Sequence, residues 1–161
     1  MKVVSIIFTL IFNLSALAEE EKRPAIEASA IYRTTVLATK SLVVFEGLPR
    51  PFEKELLATE IKRKDTKEIL IYPFYTPGVD AKNANDLRKL LSSAASIAVY
   101  GGPKACGGFH PDYCISWQAG EVTYYALICF HCQEIVFYDG KTSLIYDLVG
   151  DGYSGYEELL A

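Results

Sequence analysis

Between Asp80 and Ala95, apolar residues recur at Ala84, Leu87, Leu90, Leu91 and Ala94, the spacing of one face of a 3.6-residue period. This predicts an amphipathic helix. Elsewhere the pattern favours strands. Ser41 to Glu46 is rich in β-branched and aromatic residues and ends at Gly47-Leu48-Pro49-Arg50-Pro51, whose prolines cannot donate to a ladder. Lys67 to Tyr75 reads as a second strand, with Pro73 forcing a bulge or an edge position. Ser96 to Tyr100 is a third, released by Gly101-Gly102-Pro103. Ile115-Ser116-Trp117 and Val122 to Ile128 flank Gln118-Ala119-Gly120-Glu121, and Glu134 to Tyr138 and Ser143 to Asp147 flank the turn-forming Asp139-Gly140-Lys141. Shorter helices are expected at Ala25 to Leu37, Phe52 to Ile61 and Tyr153 to Leu160. Strands grouped late, with the best helix before them, predict one α+β domain: an antiparallel β-meander sheet packed by about three helices.

The N-terminus changes where that domain works. Lys2, an apolar run from Val3 to Leu14 and Ala16-Leu17-Ala18 form the three regions of a secretory signal peptide, with the acidic Glu19-Glu20-Glu21 following at once. Residues 1–18 are therefore expected to be removed, leaving 19–161 as the mature domain with a frayed, charged spacer over 19–24. The apolar run is shorter than the roughly 20 residues a spanning helix requires, so no membrane insertion is expected after cleavage. The expected location is exported, periplasmic or secreted. The chain carries 16 basic and 20 acidic residues, and the signal removes one basic residue, Lys2, and no acidic one. An acidic domain without a basic cluster does not suit nucleic acid, since counterion release needs lysine and arginine gathered on one face. Lys62-Arg63-Lys64 is interrupted by Glu60, Asp65 and Glu68, the pattern of a solvated face.

All four cysteines and both histidines lie between Cys106 and Cys132. Centring the turn between Ala119 and Gly120 opposes Ile115 to Tyr124 and His110 to Cys129 and brings Cys106 near Cys132. Alternation then places Ile115, Trp117, Tyr124, Ala126 and Ile128 on one face, and Cys114, Tyr125, Leu127 and Cys129 on the other. In this register Cys114 and Cys129 are separated by about four residues, roughly 13 Å at 3.3 Å per residue, too far for a disulfide. The expected cluster is Cys106, His110, Cys129 and Cys132, with Cys114 outside it.

Three chemistries compete there. Export favours a disulfide among Cys106, Cys129 and Cys132, joining Cys106 to one of the other two. Cys106, His110, Cys129 and Cys132 also have acceptable spacing for a tetrahedral metal site, zinc first. Cys129-Phe130-His131-Cys132 could exchange disulfides, although a redox Cys-x-x-Cys usually starts a helix and Gln133 to Tyr138 continues as a strand. A c-type haem is weaker still, since Gln133 rather than a histidine follows Cys132. His110 with Asp112 reads as a turn with local hydrogen bonds rather than an acid–base pair. No phosphate loop, nucleophile elbow or His-Glu-x-x-His is present.

The runs Cys106-Gly107-Gly108-Phe109-His110-Pro111-Asp112-Tyr113 and Cys129-Phe130-His131-Cys132-Gln133-Glu134, with Glu46-Gly47-Leu48-Pro49, resemble a family of uncharacterised exported or lipid-anchored bacterial proteins. The similarity extends from about Leu42 to Leu160. No activity comes with the resemblance. The chain departs from the family pattern at His131, where a small residue is usual, at Gln133, where a histidine is usual, and at Cys114, which is additional. The expectation is a binding or structural module rather than an enzyme, its Cys/His cluster stabilising a hairpin base and its partner a protein or a small molecule. The alternative is a zinc-binding or thiol-redox protein of the periplasm.

Overall fold

The computed structural model describes residues 26–50, 53–63 and 65–160. The expected signal peptide over 1–18 and the expected spacer over 19–24 lie outside the described residues. Over the described residues the chain is α+β, with seven antiparallel strands in one sheet, two in another, and four α-helices.

The centre of the large sheet is the late meander, β6 (Tyr113–Ala119), β7 (Val122–Cys129), β8 (Glu134–Tyr138) and β9 (Ser143–Leu148). On one side β1 (Val43–Glu46) pairs with β6 and carries the two-residue β4 (Val79–Asp80) on its outer edge; on the other, β5 (Ile97–Val99) pairs with β9. The β6–β7 turn consists of Gly120 and Glu121, with Gly120 at φ 62°. A glycine at positive φ in the first central position is the type II′ arrangement that matches the twist of a two-residue hairpin. That turn corrects the expected register. Trp117, not Ile115, faces Tyr124, and Ile115 faces Ala126. Because the correction moves partners by two residues, every side chain keeps its expected face.

One face carries Ile115, Trp117, Tyr124, Ala126, Ile128, Ile135 and Phe137 into the main core. Three helices cover it: α1 (Ala30–Ala38) through Tyr32 and Val36, α3 (Ala84–Ser92) through Leu87 and Leu91, and α4 (Asp151–Leu160) through Tyr156. Leu87 and Leu91 are the predicted apolar stripe of α3, and burial of each is worth about 1.5–3 kcal/mol. The Trp117 indole N–H donates to Thr35 Oγ1 at 3.1 Å, so the largest core residue is satisfied from α1. The helix α2 (Lys54–Glu60) buries no residue.

The opposite face is covered differently. Lys67 to Tyr75 is not one strand but a hairpin, β2 (Thr66–Ile69) and β3 (Tyr72–Tyr75), with Leu70 at φ 62° in the turn. Folded back, it brings Ile69 and Phe74 onto Phe45, Cys114, Leu127 and Val136 in a second core. Pro73 sits in this two-stranded sheet, where every strand is an edge. Asp80, expected to start the amphipathic helix, belongs to β4 instead, and the helix begins at Ala84. Among the described residues no helix is long and apolar enough to cross a membrane.

Candidate functional site at the base of the hairpin

The connection from Tyr100 to Asp112 descends along the second face, with Gly102, Gly107 and Gly108 at positive φ. Phe109 anchors its middle by an edge-on contact with Tyr72, ring centroids 5.4 Å apart. Its end is held by Asp112. The backbone N–H of Asp112 donates to the Ile128 carbonyl and its own carbonyl accepts from Gly47 N–H, both at 2.8 Å. Its carboxylate accepts from the Phe130 N–H at 2.7 Å and pairs with Arg50 at 2.8 Å. The expected local turn of His110 and Asp112 is therefore a long-range brace between loops 46–50, 110–113 and the β7–β8 turn. Gly47 is required there, because a Cβ at that position would run into the Pro111 carbonyl oxygen.

Beside this brace, Cys106 and Cys132 form a disulfide with Cα atoms 5.6 Å apart. Of the three disulfide candidates, Cys129 is not bonded; it is a free, fully buried thiol, as is Cys114. The corrected register also places Cys129 two residues, not four, beyond Leu127, the partner of Cys114, about 7 Å along the strand. The β7–β8 turn folds the Cys132 N–H onto the Cys129 sulfur at 3.4 Å. Burial pushes the Cys129 thiol pKa up, while the backbone N–H groups of His110 and Cys132 partly offset this by stabilising its thiolate. His110 is thus next to Cys129, as expected, but through its amide rather than its ring. The ring is held toward its neutral form, chiefly by burial and then by Arg50, and its Nδ1 is buried without a hydrogen-bond partner among the described residues.

Two residues that the pattern places at ordinary strand positions, Glu134 and Asp147, complete the site beside Cys129. Cys129, Glu134 and Asp147 are direct cross-strand partners in one row over β7, β8 and β9. Glu134 is only 3% exposed, and burial raises its carboxyl pKa, with Asp147 adding to the rise and Lys104 opposing it. Lys104 pairs with Asp147 at 3.0 Å, and the same Asp147 oxygen accepts from Gly101 N–H. Tyr72, from the covering hairpin, has its hydroxyl pKa raised by burial and then by Cys129 and Glu134. A cleft of about 420 Å³ opens beside the row between Cys106, His131 and Val149.

The zinc arrangement requires thiolates at Cys106 and Cys132, and both sulfurs are spent on the disulfide. Among the described residues no group of three or more His, Cys, Asp or Glu is placed to hold a metal ion. His131, between the last two cysteines, is exposed.

A second concavity lies on the other side of the Asp112 brace. It measures about 510 Å³ and is bounded by Glu46, Arg50, Glu53, Tyr113, Phe130 and Glu157, among others. Tyr113 and Phe130 meet edge-on there, centroids 5.9 Å apart. It shares Glu46, Tyr75 and Tyr113 with an adjoining cleft of about 410 Å³ that runs to the C-terminal end of α4. Compared with protein-family models, curated proteins and solved structures, the chain matches none of them.

Proposed function

We propose that the chain is an exported binding module whose disulfide-braced hairpin base presents the Tyr113–Phe130 groove to a cationic, extended ligand such as a basic peptide segment. Export is carried by the signal-like residues 1–18, and N-terminal sequencing of exported material should start at Glu19. The observation that carries the ligand class is the charge left over in the groove. Arg50 and Asp112 neutralise each other, while Glu46, Glu53 and Glu157 are all exposed carboxylates on the rim. Two joined clefts with aromatic walls suit a chain longer than a single small molecule, and the excess negative charge selects for cations.

The test is titration with a tetra-lysine peptide at low salt, followed by amide NMR shifts. Shifts confined to the neighbourhood of Tyr113, Phe130 and Glu157, weakened in E46Q/E157Q and by added salt, are the expected result. An unchanged spectrum, or equal shifts with a tetra-glutamate peptide, would refute the reading.

A further inference from the structure

Next to the disulfide lies a thiol that the brace does not need. Cys129 is fully buried, its sulfur touches the Cys132 amide at 3.4 Å, and only Phe130 and His131 separate the two cysteines in a tight turn. Cys106 occupies a different environment: it is partly exposed and set in a loop with no regular structure, between glycines at positive φ. One partner of the disulfide is therefore anchored in the turn beside a spare thiol, and the other is tethered on a segment with the backbone freedom to leave.

We propose that Cys106, Cys129 and Cys132 form a thiol–disulfide exchange site in which Cys129 is the resolving thiol and Cys106 the outgoing one. The Cys129 sulfur attacks the Cys132 sulfur, a Cys129–Cys132 bond forms, the Cys106–Cys132 bond breaks, and its electron pair leaves on Cys106 as thiolate. The proton lost by Cys129 ends on Cys106. Glu134, opposite Cys129 in the sheet and facing the Lys104–Asp147 pair, is the group placed to carry it. No oxidant or reductant is consumed, since one thiol and one disulfide are present before and after. Because both reacting sulfurs stand on one turn, the step has the high effective concentration of an intramolecular reaction. Cys114 does not substitute, because it stands on β6 opposite Leu127, away from the turn that carries Cys129 and Cys132.

The exchanged form presents a Cys106 thiol at the mouth of the cleft bounded by His131 and Val149. The class of ligand it takes is a disulfide of a small molecule or an extended peptide. The Cys106 thiolate attacks one ligand sulfur, the other leaves as a thiolate, and a mixed disulfide remains on Cys106. This site is separate from the Tyr113–Phe130 groove, so failure of one proposal leaves the other standing.

The full chain with its native disulfide is incubated with N-ethylmaleimide, or in parallel with glutathione disulfide, quenched in acid, and mapped by non-reducing peptide mass spectrometry. The expected product carries the label or the glutathione on Cys106 with Cys129 joined to Cys132, and it accumulates with time. In C129S and C129A, labelling of Cys106 should fall at least about tenfold, and E134Q should slow it while leaving the same product. Wild-type mapping decides the matter even where a variant folds poorly. Absence of label, label on Cys129 with Cys106–Cys132 intact, or Cys106 labelled equally in the Cys129 variants would each overturn the proposal.

Discussion

Removing the Cys106–Cys132 bond should lower stability by an amount that loop length dictates. The two cysteines are 26 residues apart. In the chain-entropy treatment a cross-link of that span withholds from the unfolded chain an entropy worth about 3.5 kcal/mol at room temperature. For a domain of this size each kcal/mol moves the melting temperature by about 3 °C, so a fall of about 10 °C is expected. The single variant C106S is the wrong perturbation, because it leaves Cys132 beside Cys129 and free to pair with it. The double variant C106A/C132A removes both sulfurs, and its small side chains add no hydroxyl to the nearly buried Cys132 position. Thermal melts followed by circular dichroism, on wild type and variant with and without dithiothreitol, supply the assay. Reductant should bring wild type down to the variant and leave the variant unmoved. A variant melting within about 2 °C of oxidised wild type would show that the tethered loop is already ordered in the unfolded reference or strained in the folded one, and the entropic argument would fail.

Two further outcomes follow from the polar groups around the disulfide. Burial raises the Glu134 carboxyl pKa above its ordinary 4.5, so its contribution is fully present below pH 4.5 and lost as pH rises through the folded value; E134Q should gain stability relative to wild type between pH 4.5 and 7, and a pH-independent difference in urea midpoints would contradict this. D112A strips both Arg50 and the Phe130 N–H of their acceptor and should cost about 1–3 kcal/mol, whereas R50A leaves the Phe130 bond in place and should cost about 1 kcal/mol or less; equal losses by urea denaturation would refute the view that Asp112 acts mainly as a backbone brace.

Much of this fold is local and could be read directly from residue order. The meander β6–β9 follows from alternation and turn residues, because a strand of period two with a glycine-bearing turn has few other ways to bury one face. The stripe Leu87, Leu90 and Leu91 likewise marks a helix face whatever it packs against. The approach of Cys106 to Cys132 needed only the hairpin between them, and a two-residue error in register did not disturb it. The Asp139-Gly140 signal marked the β8–β9 hairpin, but the opposition of Glu134 to Asp147 came from its four-residue connection, which pairs Tyr138 with Ser143.

What only the tertiary structure decided has a common physical cause: it depends on which distant segment covers a given face. Leu70, at a positive φ that a non-glycine residue seldom adopts, turns the expected strand over Lys67 to Tyr75 back on itself, and the resulting hairpin buries Cys114 and Leu127 from above. Nothing in the strand pattern announces that cover. The identity of Cys132 rather than Cys129 as the partner of Cys106 depended on how a four-residue turn points two neighbouring sulfurs, a matter of a few ångströms that spacing does not resolve. Asp112 looked like a turn residue because its short-range options were visible, whereas its actual partners, Arg50 and the Phe130 amide, come from separate parts of the chain. Local propensity selects the elements, but the chemistry at the hairpin base arises where three loops meet, and that meeting is set by packing over the whole sheet.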